Sequence, residues 1–174
     1  MRMTSDLQFY KLFSSVKDPK RATEGSACFD LYSFLPDNSM VSVYINHFEE
    51  LEIRNRLVQN GRIQVNSNER VLIPTGLIFD IPNGYSMRLH PRSGLALKQG
   101  LTLANNVGII DADYVEPVFA MITNISGTIK YVKHNERICQ GELFKDHPCI
   151  LEEISEQPER KTDRDGGFGS TGKE

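Results

Sequence analysis

What the chain lacks sets the first limits. No apolar run approaches the roughly 20 residues that a bilayer crossing needs. The opening stretch MRMTSDLQFYKLF is too polar for a secretory leader, so a cytoplasmic setting is expected. Cysteine is scarce: Cys28, Cys139 and Cys149 are odd in number and share no CxxC spacing, which argues for reduced thiols rather than a disulfide framework. Basic excess is also missing. A net charge of -3 and a pI near 5.8 argue against a surface built to hold long nucleic acid, which needs clustered Lys and Arg over a broad face. A small anionic ligand stays open, because it needs only a few well-placed donors. The four histidines, at 47, 90, 134 and 147, fall at no metal-ligand spacing, and no cage of carboxylates stands out.

What is present reads as β structure. The 174 residues suit one domain whose core needs no staples. Leu7–Phe13, Arg70–Ile73, Gly76–Ile81, Tyr85–Leu89 and Ile138–Lys145 are β-rich runs broken by Pro74, Pro82, Asn83-Gly84 and Pro148. Val118–Ile125 and Thr128–Val132 flank Ser126-Gly127, which reads as a hairpin turn. Regular spacing of this kind predicts an all-β barrel or sandwich. One stretch stays open. Asn46–Asn60 carries Phe48, Leu51 and Leu57 at helical spacing, yet Asn60-Gly61 is equally a hairpin signal.

The densest chemistry lies between His90 and Tyr114. Arg92, Ser93, Lys98, Asn105, Asn106, Asp111, Asp113 and Tyr114 are interleaved with apolar residues and with Pro91, Gly94, Gly100 and Gly108. A solvated loop would not carry so many apolar residues, nor a structural strand so many polar ones. Two strands are expected to bring the Arg-Ser-Gly turn and the Asp-x-Asp-Tyr turn towards one pocket. Beyond Ser155 the composition changes, with one aromatic and no aliphatic side chain. Such a tail cannot bury enough apolar surface to order itself alone. Its GFGSTGK run satisfies part of a phosphate-loop pattern, but Glu174 stands where Ser or Thr is required and no buried strand precedes it.

Five segments in order then resemble the motifs of the homotrimeric dUTP pyrophosphatases (dUTPases): SACFDLYS at 26–33, PRSGLA at 91–96, NNVGIIDADY at 105–114, ERICQ at 136–140 and GGFGSTG at 166–172. The resemblance implies a jelly-roll-like β-barrel spanning 1–154, with an insertion at about 37–65, and a mobile arm at 155–174 that closes over an active site. It implies a homotrimer with shared sites and Mg²⁺-assisted hydrolysis of dUTP to dUMP and pyrophosphate, which limits uracil in DNA and supplies dUMP for dTMP synthesis.

By the same resemblance Asp111 is the base, and Arg92, Ser93 and Gly94 contact phosphate. Asn105 and the backbone of Gly108, Ile109 and Ile110 read uracil, and Tyr114 packs under the deoxyribose. Arg164, Phe168, Gly169, Ser170 and Thr171 complete the closed site, while Asp30 and Gln140 reach the metal through water. Three positions depart from the family pattern: Cys28 and Glu116 stand where Gly is usual, and Arg164 lies one residue nearer the glycine pair. The surplus at 38–60 reads either as surface elaboration or as an arm for a protein partner. It would suit a phage or viral origin, with the host cytoplasm as the setting. Two other function classes are weighed: a dUTP-binding regulatory trimer with weak turnover, and a dCTP deaminase-related enzyme, which shares a PRSxLA-like turn but needs a carboxylate that VFAMITN at 118–124 lacks and has no GGFGSTG closure.

Overall fold

A computed structural model describes residues 6–47 and 50–163 of the chain. Among the described residues thirteen strands run in order: β1 (Gln8–Lys11), β2 (Phe29–Tyr32), β3 (Met40–His47), β4 (Glu50–Leu57), β5 (Arg62–Val65), β6 (Arg70–Pro74), β7 (Leu77–Asp80), β8 (Tyr85–Pro91), β9 (Leu101–Leu103), β10 (Gly108–Ile110), β11 (Phe119–Asn124), β12 (Lys130–Lys133) and β13 (Arg137–Lys145). One short helix, α1 (Ser93–Gln99), lies between β8 and β9. The strands form a five-stranded sheet in the order β4-β3-β6-β11-β9, a four-stranded sheet β10-β8-β13-β2, and the pairs β1-β7 and β12-β5. All-β architecture is therefore as expected, but a closed barrel is not: among the described residues the ladders make four separate sheets.

Strict alternation explains the core. Val71 and Ile73 of β6, Ile63 and Val65 of β5, and Ala120 and Ile122 of β11 point inward, and their neighbours point outward. Period-two side chains place one row of each strand on the core. The inward rows of both larger sheets meet in one cluster that includes Leu31, Phe79, Met87, Leu89 and Ile138.

Three local expectations change. The Pro-Arg-Ser-Gly segment is the end of β8 followed by helix α1, not a turn between strands. That helix escaped notice because only Leu95 is buried while Leu97 is 86% exposed, leaving no amphipathic stripe to read. Ser126-Gly127 does not join a hairpin, since β11 pairs with β6 and β9 whereas β12 pairs with β5. Fully buried Asn124 redirects the chain there. Its amide donates to the carbonyls of Val65 (2.9 Å) and Thr128 (2.8 Å), and its oxygen accepts from the backbone N–H (2.9 Å) and the hydroxyl (2.7 Å) of Ser126. Finally, the open stretch is a hairpin. Strands β3 and β4 pair from Met40↔Leu57 to His47↔Glu50. Asn60 and Gly61, both at positive φ, then make a tight turn closed by mutual Gln59 and Arg62 backbone bonds of 3.1 and 3.2 Å. Phe48 lies outside the described residues, as do 164–174 of the expected arm.

Strand β4 buries almost nothing, so polar contacts anchor it. Arg56 forks onto Glu69 with bonds of 2.6 and 2.8 Å and donates to the Gln64 carbonyl at 2.7 Å. The backbone N–H and amide of Asn66 each donate to the same carboxylate at 2.8 Å. Burial alone would raise the Glu69 pKa. The Arg56 and Asn66 hydrogen bonds outweigh burial and hold it at about 2, against an ordinary 4.5. Because the folded value lies below the unfolded one, this stabilisation is complete above about pH 5 and is lost as pH falls towards 2. In urea titrations at pH 7, Glu69→Gln is expected to lose on the order of 2–3 kcal/mol. The gap to the parent chain should narrow steadily between pH 5 and pH 2, and a gap independent of pH would contradict the account.

Candidate functional site: an anion clamp and an open strand edge

The four-stranded sheet gathers most of the sequence-selected residues. Strand β2 carries Asp30 opposite Gln140 of β13, and His90 of β8 faces the other side of Gln140. Asp30 is 4% exposed. Its Oδ1 accepts from Arg92 Nε (3.1 Å) and Gln140 Nε2 (3.3 Å), and its Oδ2 accepts from Arg137 Nη1 (3.2 Å). Arg92 Nη1 also donates to the Arg137 carbonyl at 3.2 Å. One buried carboxylate thus draws two guanidinium groups together that would otherwise repel. Half of the Arg137 side chain remains exposed, so this pair can present donors to an anion. In the sequence Arg137 stands out only as a member of the ERICQ segment. The signal that could have found it is its place three residues before Gln140.

Behind the clamp sits Cys139, completely buried. Burial first, then the Asp30 charge, push its thiol up to about 12, although the Arg92 charge opposes this. The thiol stays protonated and is no nucleophile. Partial burial, then the Glu142 charge, likewise raise the Cys28 pKa.

The second half of the site is a strand edge. Among the described residues, strand β10 pairs only with β8 and borders the sheet, so its outer backbone groups can meet a planar hydrogen-bonding ligand. Gly108 lets the Asn105 amide and Leu89 approach its backbone closely, because a Cβ there would stand 3.2 Å from the Asn105 amide nitrogen and 3.3 Å from Leu89 Cβ. Asn105 is exposed beside this edge. Asp111 follows β10 directly and is exposed, and its carbonyl accepts from the Tyr114 N–H at 3.1 Å. Tyr114, 40% exposed, rests its hydroxyl on the Pro117 carbonyl at 3.1 Å. Asp113 and Glu116 are exposed on the same loop.

The two expected halves do not converge within one chain. Ile110 sits opposite Met87 and Gly108 opposite Leu89. Asp111 therefore lies beyond the Met87 level, while Arg92 lies past the far end of β8. At the antiparallel rise, that register separates them by about 20 Å along the sheet. Asn105, Gly108, Ile109 and Ile110 share the β10 edge, whereas Arg92, Asp30 and Gln140 form the clamp, with Ser93 and Gly94 opening α1 beside it. Arg164, Phe168, Gly169, Ser170 and Thr171 lie outside the described residues.

Fold and site together define a jelly-roll-like β protein that offers one clamp to an anion and a free strand edge to a flat polar ligand. The comparisons narrow that class. The dUTPase family model matches residues 57–172. A deoxyuridine 5'-triphosphate nucleotidohydrolase of Fusobacterium nucleatum is 35% identical over 159 residues, 91% of each chain. One from Finegoldia magna is 45% identical over 105 residues, 60% of this chain and 72% of that protein. Among solved structures, the Staphylococcus bacteriophage 80alpha dUTPase with dUpNHpp superposes with a TM-score of 0.74 at 20% identity, covering 97% of this chain and 99% of that one. The chain belongs to the dUTPase family, whose members are dUTP diphosphatases.

The clamp predicts its own sensitivity. In Asp30→Asn the two guanidinium groups lose the charge between them, and a stability loss of about 3 kcal/mol is expected from urea titration. Asp30→Glu should recover part of that loss. An unchanged Asp30→Asn midpoint would show that the clamp is not held by this carboxylate.

Proposed function

We propose that this chain hydrolyses dUTP to dUMP and pyrophosphate in a homotrimer whose sites are shared between subunits. The register of β8 against β10 carries the reading. A base about 20 Å from the phosphate clamp of its own chain cannot act there, so the two halves serve one nucleotide only when they come from different copies. The uracil edge meets Asn105 and the open backbone of Gly108, Ile109 and Ile110, which together supply both donors and acceptors. Tyr114 packs under the deoxyribose and excludes a 2′-hydroxyl. A neighbour's Arg92, Ser93, Gly94 and Arg137 offset phosphate charge. Asp111 takes a proton from water as that water's oxygen attacks the α-phosphorus, and the bond to the bridging oxygen breaks to release pyrophosphate. Arg164, Phe168, Gly169, Ser170 and Thr171 of the arm at 155–174 close over the nucleotide and exclude bulk water.

Magnesium fits this site only through the substrate. Among the described residues no three His, Cys, Asp or Glu side chains gather to hold a metal. Both Asp30 oxygens are already engaged by arginines and Gln140. Mg²⁺ bound by triphosphate and water would offset negative charge, with Asp30 and Gln140 reaching it through water. Neither competing function gains support. Strand β11, FAMITN, holds no carboxylate for deamination.

Two measurements test the proposal. Asp111→Asn is expected to keep dUTP affinity within a few fold while losing hydrolysis by about 10²-fold or more, with pyrophosphate and ammonia followed for dUTP, dCTP, dTTP and UTP. Full turnover by that variant would refute the assigned base, and ammonia from dCTP would refute the assigned reaction. Second, Asp111→Asn and Arg92→Ala chains, each inactive alone, should regain roughly a quarter of parental turnover when refolded together, as random mixing of shared sites requires. No recovery would place base and clamp on one chain.

A further inference from the structure

Strand β4 is the one long strand left at the edge of the larger sheet among the described residues, in the order β4-β3-β6-β11-β9. Its ladder to β3 runs without a bulge through eight consecutive pairs, and its sequence ELEIRNRL contains neither Pro nor Gly. Such an edge presents a row of backbone donors and acceptors to any strand that can lie beside it. Natural edges are usually blunted by a bulge, by proline or by charges of one sign. Here the charges run acid, acid, base, base: Glu50, Glu52, Arg54, Arg56, centred on Ile53.

That order is self-complementary. An antiparallel second copy placed with Ile53 opposite Ile53 sets Glu52 against Arg54, twice by symmetry, and Leu51 against Asn55. A parallel copy would set like charges together, which is unfavourable across a strand pair. Within one chain Arg54 already contacts Glu52, so the same two groups need only turn across the strand boundary. The apolar outer face agrees. Leu51 and Ile53 are 56% and 58% exposed. Leu51 also walls a groove of about 310 Å³ with Tyr44, Arg70, Leu72 and Met121. Pairing would extend this face into a second copy's and cover part of it.

We propose that β4 is a self-association edge: two chains pair their β4 strands antiparallel about a two-fold axis at Ile53, joining two five-stranded sheets into one. The occupant is a second copy of this chain, because an isologous contact needs a surface that complements itself and β4 has that pattern. The pairing is independent of how the catalytic sites are assembled, so with the homotrimer above it would link one trimer to another.

Light scattering across a concentration series tests it. The parental chain is expected to reach at least twice the mass of Glu52→Arg and of Arg54→Glu, since each single reversal sets like charges together, and the double reversal should restore the larger mass. Equal mass for the parental chain and both single variants at every concentration would overturn the proposal, leaving the edge to a foreign strand or to solvent. Turnover of dUTP by the dilute variants should remain parental, which separates this result from any failure of the catalytic reading. Should a single reversal unfold, Ile53→Cys in a Cys149→Ser background decides. On mild oxidation it is expected to give a covalent dimer on a non-reducing gel, because opposed strand residues lie within disulfide reach. A single-chain band would overturn the pairing.

Discussion

The pairing of β8 with β10 on one side and β13 on the other governs the chemistry of this molecule. Those ladders hold Arg92 beside Asp30, Arg137 and Gln140. The same register sends Asp111 to the opposite end of the sheet. A strand is too stiff to fold back on itself, so the distance between its ends is a constraint that loop motion does not remove. Within one chain Asp111 and Arg92 therefore stay at opposite ends of the sheet. The short helix after β8 belongs to the same device: Leu95 seats it on the core and leaves Ser93 and Gly94 beside Arg92.

Charge inside the protein is used sparingly and in paired form. Asp30 is buried among donors, and Glu69 is buried between Arg56 and Asn66. A buried carboxylate without such partners would carry a desolvation cost of several kcal/mol. With them, each ties together segments distant in sequence. Asp30 links β2 and β13 to the end of β8 and draws Arg92 and Arg137 together. Glu69 ties the β3–β4 hairpin to the turn before β6, which keeps an otherwise exposed hairpin in place. While β3 seats Val41 and Val43 in the core, β4 carries Leu51, Ile53 and Leu57 on the outside, a pattern suited to contact rather than to the core of this chain.

Much of the fold was legible in advance where side chains alternate. β6, β7, β8 and β13 fall close to their expected bounds, because proline and Asn-Gly breaks punctuate them and burial on one face enforces period two. Helix α1 was not legible, since a seven-residue helix with one buried side chain has no periodic signal. The Ser126-Gly127 turn misled for another reason. Turn residues say that a chain reverses but not which strand it meets next, and here buried Asn124 directs β12 to β5. Of the candidate site, the family motifs named Asp30, Arg92, Asn105, Asp111 and Gln140. Arg137 gained its part only from the geometry around Asp30.

By itself the sequence determined composition class, most strand positions, the family and the residue types available for chemistry, since local pattern and motif order are one-dimensional properties. Only the tertiary structure decided that the 46–60 segment is a hairpin, that two arginines share one buried acid, and that Asp111 and Arg92 stand apart. Those outcomes depend on strand register and on partners far along the chain, and a one-residue shift in pairing, invisible in local sequence, would change all of them.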